Sequence, residues 1–107
     1  MLKLYPIIID TLRLVAPLAR EIAKHDIDLA RQMRRAGSSI ALNTAEACSA
    51  SAGNERARHL TALGSARETR ACLEVADAFG YVAVDATVLD RLDRITATLY
   101  KVTRLVR

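Results

Sequence analysis

The chain has 107 residues, 51% apolar and only 4% aromatic, with 16 Lys and Arg against 12 Asp and Glu for a net charge of +4. That length fits one domain, 1–107, with a real but thin core, and the low Gly and Pro content with short β-branched runs argues against a sheet protein. No apolar run approaches the ~20 residues that cross a bilayer, and Met1-Leu2-Lys3 leads into Tyr5-Pro6 and Asp10 rather than an apolar signal region, so a cytoplasmic protein with no membrane segment is expected.

The first predicted helix spans about 6–24. Pro6 suits a first turn, where its missing N–H is not needed. Ile8, Leu12, Val15, Leu18 or Ala19, and Ile22 recur at helical spacing. Pro17 removes the bond to the carbonyl of Arg13, which leaves one kinked helix or a break as alternatives. Asp26 then stands as an N-cap, and a second helix follows over about 27–49. Leu29, Met33, Ala36, Ile40, Asn43 and Ala47 step by 4, 3, 4, 3 and 4, a heptad-like seam with one polar member. Gly37 lies mid-helix at a propensity cost of about 1 kcal/mol, which a closely crossing neighbour would explain.

Ser49 to Asn54 is a cluster of small turn-formers and reads as a loop. The third helix, about 55–79, is rich in Ala, Gly and Ser, and Gly80 followed by Tyr81 fits a left-handed C-terminal cap. Asp85 caps a fourth helix over about 86–105, whose seam of Val88, Leu92, Ile95, Leu99, Val102 and Val106 is the cleanest in the chain. Four helices joined by short loops predict an all-α, antiparallel up-down-up-down four-helix bundle. Apolar residues outside those seams, Leu14, Leu63, Leu73 and Leu89, are candidates for a self-association surface.

Enzyme chemistry finds no footing. A di-iron bundle needs Glu-x-x-His on two helices, and this chain has Glu21/His25 and Glu55/His59 at i,i+4, the spacing of a surface ion pair. Cys48 and Cys72 show no CxxC spacing and read as small buried thiols. Neither has a His at a nearby helical position, the serines lack a nucleophile elbow, and no Gly-rich phosphate loop exists. No catalytic residue, metal site or cofactor is assigned.

Two polar sets remain, Asn43 with Glu46 on the second helix and Ser65 with Glu68 on the third, each three residues apart on one face. They read as a buried, register-fixing hydrogen-bond network with Arg35 or Arg70 as counter-charge, or as a ligand or metal site. The cations are nearly all arginine, as phosphate recognition or a GC-rich coding sequence would give. Without aromatics among them for base stacking, any nucleic-acid contact would go to backbone phosphate and depend strongly on salt.

The run Gln32-Met33-Arg34-Arg35-Ala36-Gly37-Ser38-Ser39-Ile40, then Asn43, Ala45 and Glu46, resembles the Q-x-x-R-A-x-x-S-I-x-x-N-x-A-E-G signature of the four helix bundle, or 23S rRNA intervening-sequence, proteins. Ala62-Leu63-Gly64-Ser65-Ala66-Arg67-Glu68 is similar to that family's A-x-G-S-x-x-E, and Gly80-Tyr81 to its closing L-G-Y. Ala47 replaces the usual glycine, Phe79 stands where leucine is frequent, and the loop Ser49 to Asn54 lacks the family's basic and aromatic residues. The resemblance implies a ring-like homopentamer without enzymatic activity. It also implies kinship with the accessory variability determinant of diversity-generating retroelements, which binds nucleic acid and a reverse transcriptase. Asn43, Glu46, Ser65 and Glu68 are then the signature positions, and Arg34, Arg35, Arg67 and Arg70 the candidate nucleic-acid contacts. The competing expectation is a scaffold that docks a protein partner and no nucleic acid.

Overall fold

A computed structural model describes residues 3–105, which form four helices and, among the described residues, no strand. They are α1 (Leu4–Ala23), α2 (Ile27–Ala47), α3 (Ala52–Ala78) and α4 (Ala86–Leu105). α1 and α3 each pack against both α2 and α4, so the four close around one interior, in a body that extends 42 × 23 × 19 Å.

Local chemistry sets the ends. The Asp26 carboxylate accepts from the Leu29 N–H at 3.0 Å and starts α2. Asp85 accepts from the Thr87 N–H at 2.7 Å, which holds its carboxyl below the usual range, and its carbonyl accepts from the Val88 N–H. At the close of α3, Gly80 adopts φ 75°, a backbone region that L side chains rarely adopt. The Tyr81 N–H then bonds the Ala76 carbonyl and the Gly80 N–H the Asp77 carbonyl, both at 2.9 Å, a Schellman closure. α1 runs unbroken through Pro17. The loop expected at Ser49 to Asn54 is shorter, because Ser51 stands at the N-cap and α3 begins at Ala52. Small turn-formers there are compatible with a first helical turn, whose N–H groups need no intrahelical partner.

The core is aliphatic. Ile8, Val15 and Ile22 of α1, Met33 and Ile40 of α2, Leu73 of α3, and Val88, Leu92, Ile95 and Leu99 of α4 are buried. Each contributes on the order of 1.5–3 kcal/mol before entropy. Val102 is half-buried, and Val106 lies outside the described residues. Leu63 and Leu73, expected on a second surface, are buried in this core, and only Leu14 of the four candidates is exposed. Cys72 is buried and Cys48 exposed, which corrects the expectation of two buried thiols. Burial, reinforced by the Glu68 carboxylate, pushes the Cys72 thiol up.

Gly37 sits where α1 and α2 cross: a Cβ there would meet the Leu12 Cδ2 at 3.0 Å. Gly64 faces open space. At the end holding the α1–α2 turn, His25 stacks on Tyr81 with centroids 5.2 Å apart, and Phe79 stacks on Tyr81 at 5.5 Å. The core also takes in His59, which is 1% exposed and makes no hydrogen bond through either ring nitrogen among the described residues. Burial lowers its pKa, although the Glu55 carboxylate works the other way.

Gly64→Ala should stabilise the fold by about 0.5–1 kcal/mol, whereas Gly37→Leu should destabilise it by about 1–3 kcal/mol through overpacking; denaturant unfolding of the two variants checks both. Because His59 is harder to protonate folded than unfolded, the unfolded chain binds more protons below about pH 6.5. Unfolding free energy should therefore fall as pH drops from about 7 to 5, and the wild-type decline should exceed that of His59→Leu in urea titrations across this range.

Candidate functional site

The polar residues singled out on α2 and α3 meet at the edge of the contact between these helices. The Ser65 hydroxyl donates to the Ser39 hydroxyl at 2.7 Å. The Asn43 amide nitrogen donates to the Ser39 hydroxyl and the Ser39 carbonyl, both at 3.0 Å. The Arg58 guanidinium donates to the Asn43 amide oxygen at 3.2 Å and pairs with the Glu46 carboxylate at 2.9 Å. A continuous chain therefore runs Ser65–Ser39–Asn43–Arg58–Glu46.

It differs in three ways from the network the sequence suggested. Glu46 and Arg58 are exposed, and Asn43, Ser39 and Ser65 only half-buried, so the chain lies along a groove and not in the interior. Its counter-charge is Arg58 and not Arg35 or Arg70. Glu68 is exposed and makes no hydrogen bond or ion pair among the described residues. The signal for Ser39 was present, since it lies four residues before Asn43 on the same face. The signal for Arg58 was not, because that contact depends on how α2 and α3 are aligned.

The four candidate cations divide. Arg70 is engaged: it donates to Asp93 of α4 at 2.7 Å and pairs with Glu74 at 3.1 Å, contacts that raise its pKa further. Arg34, Arg35 and Arg67 are exposed and form no ion pair among the described residues. Arg34 and Arg35 line one open hollow of about 470 Å³ together with Ser38, Ser39, Leu42 and Asn43. Two unpaired guanidinium groups beside hydroxyl and amide groups suit an oxyanion such as phosphate. Leu42, 62% exposed, adds an apolar patch at the same place.

A second hollow, about 540 Å³, opens at the α2–α3 turn between Glu46, Ser49, Asn54, Arg58 and Thr61. Among the described residues no group of three or more His, Cys, Asp or Glu is placed to hold a metal ion. No helix of the described residues is long and apolar enough to cross a membrane.

An all-α protein of four packed helices, with a polar groove between the central pair and arginines on the outside, is the class these features define. The family described as 23S rRNA-intervening sequence protein matches residues 5–101, and the chain belongs to it. No curated protein and no solved structure matches the chain significantly.

The groove makes a quantitative expectation. Both members of the Arg58–Glu46 pair are exposed, so a double-mutant cycle with Arg58→Ala and Glu46→Ala should give a coupling of about 0.2–1 kcal/mol that shrinks with salt. Ser39→Ala, which leaves the Ser65 hydroxyl and the Asn43 amide short of a partner, should cost about 1–2 kcal/mol by chemical denaturation.

Proposed function

We propose that this protein is a non-enzymatic, oligomeric helical bundle that binds the phosphate backbone of RNA or DNA through the arginine side of α2. The observation that carries the reading is the placement of Arg34 and Arg35, both unpaired among the described residues, over the hollow with Ser38, Ser39 and Asn43. Arg67 is a further exposed contact, and Arg70 contributes field more than direct contact because Asp93 and Glu74 hold it. Family membership supports the nucleic-acid reading, and the modest net charge of +4 is compatible with it.

The helices run up-down-up-down in this reading. Along α2 and α3, Ser39 meets Ser65 while the later Asn43 and Glu46 meet the earlier Arg58. Along α3 and α4, Arg56 reaches Thr103 while the later Arg70 reaches the earlier Asp93. Both pairs of contacts support opposed directions. A homopentameric ring is the assembly we favour on the family resemblance, together with a cytoplasmic location.

The second reading is a scaffold for a protein partner, such as the reverse transcriptase that the retroelement kinship implies. The exposed Leu42 in the same hollow favours it, since phosphate has no use for an apolar side chain there.

Titration of single- and double-stranded RNA and DNA at increasing salt separates the two. Binding should weaken steeply with salt, and replacing Arg34 and Arg35 with Ala should reduce the slope of log affinity against log salt by about 2, one for each phosphate no longer neutralised. No binding at about 50 mM salt, where phosphate contacts are strongest, would sink the nucleic-acid reading. A Leu42→Asp variant that loses a protein partner while nuclease treatment does not release it would establish the scaffold.

A further inference from the structure

No aromatic residue stands among the arginines of α2 in the sequence, but the fold brings a ring cluster into line with them. Ser39 of α2 meets Ser65 of α3 at 2.7 Å. Seven residues back along α2 lies Gln32, and seven further along α3 lies Cys72. Seven more reach His25, just ahead of α2, and Phe79, at the C-cap of α3. Both of these rings stack on Tyr81, with centroids 5.2 and 5.5 Å away. Seven residues make close to two helical turns, so each step returns to the same edge of its helix. One groove between α2 and α3 therefore leads from the Ser39–Ser65 bond to the ring stack, along about 20 Å of helix. The hollow that holds Arg34 and Arg35 shares Ser39 and Asn43 with the first end of that groove.

The two ends differ in chemistry. At the hollow, Arg34 and Arg35 are exposed and form no ion pair among the described residues. At the rings, Phe79 is 68% exposed. Tyr81 covers one face of the Phe79 ring, and that much exposure leaves the other face to solvent. The near-parallel stack, 22° between Phe79 and Tyr81 and 7° between Tyr81 and His25, holds the ring as a flat platform. The charges around it are acidic: Asp77 and Asp28 are exposed, and Asp28 pairs only loosely with Arg31, at 3.9 Å. They repel a phosphate at the platform but not the uncharged face of a nucleobase. A chain that carries phosphates on its backbone and flat uncharged rings beside it fits both ends at once. In a duplex every base is already paired and stacked, so bringing one to Phe79 would cost its unstacking.

We infer that the groove takes a single strand of RNA or DNA, with its phosphates on Arg34 and Arg35 and one unpaired base stacked on Phe79. This rests on the phosphate reading of the α2 hollow and adds to it the form of nucleic acid selected. Phe79 is the contact that distinguishes a strand with free bases from any other polyphosphate, and Tyr81 and His25 are positioning residues behind it.

Fluorescence-anisotropy titrations of the full chain test it, at about 50 mM salt and above. The probes are labelled oligo(U), oligo(dT), a duplex and an abasic deoxyribose-phosphate strand of equal length. The single strands should bind at least about fivefold more tightly than the abasic strand, since stacking one base supplies that factor or more. The oligo(U) and oligo(dT) arms tell RNA from DNA. Phe79→Ala should remove this advantage, leave abasic and duplex binding unchanged, and keep the wild-type slope of log affinity against log salt, because no phosphate contact is lost. Phe79→Trp should retain the affinity, and its indole fluorescence should be quenched when a single strand binds. Equal affinity for the abasic and base-bearing strands overturns the proposal and leaves the phosphate reading standing. A Phe79→Ala loss spread evenly over all four probes does the same. Failure of every probe to bind overturns both.

Discussion

Helices can share a thin core only if their axes come close, and small side chains at the contacts are what permit it. Ala30, Ala36, Ala41, Ala62, Ala66 and Ala76 are buried between helices, and Gly37 brings α1 within touching distance through Leu12. With one Phe and no Trp the chain has few bulky fillers, so the buried Ile and Leu side chains must interdigitate at short range to exclude water. Every other feature depends on that closeness. The hydroxyls of Ser39 and Ser65 can bond directly at 2.7 Å only because their backbones are near.

Polar groups then specify how the closely packed helices align. Aliphatic surfaces of alanine and leucine tolerate small sliding motions, since one methyl contact resembles the next. A directional chain of donors and acceptors does not. Between α2 and α3 the groove supplies that chain, and between α3 and α4 Arg70 with Asp93 and Arg56 with the Thr103 carbonyl do the same. Placing these contacts at the edges avoids the desolvation that a buried ion pair suffers. It also leaves the adjacent Arg34 and Arg35 on α2 solvated.

How much of this was legible depends on the contrast each segment carries. α4 showed its buried stripe plainly because Val88, Leu92, Ile95 and Leu99 alternate with charged residues, and the caps at Asp26 and Gly80 follow from local backbone chemistry. α3 concealed its inner face, because Ala and Gly populate both sides and leave no polar stripe to mark the outside. Leu63 and Leu73 were placed on the wrong side for that reason. Cys48 falls at the C-cap of α2 and Cys72 inside α3, a difference that residue type cannot reveal. Asn43, Glu46 and Ser65 could be singled out by spacing and resemblance, yet their partners Ser39 and Arg58 came only with the alignment of two helices. The His25–Tyr81–Phe79 stack was invisible, since turn residues follow no period.

That stack gives the molecule two unlike ends. Tyr81 lies between a ring from the α1–α2 turn and one from the close of α3, so two connections far apart in sequence are riveted together, and the Schellman closure at Gly80 holds the rivet in place. At the other end α2 and α3 are joined by a turn of small residues with a broad hollow beside it. Thermal opening of the bundle should thus begin at that turn and swing about the aromatic end as a hinge. The same asymmetry makes the α2–α3 turn the place where inserted sequence would disturb the architecture least.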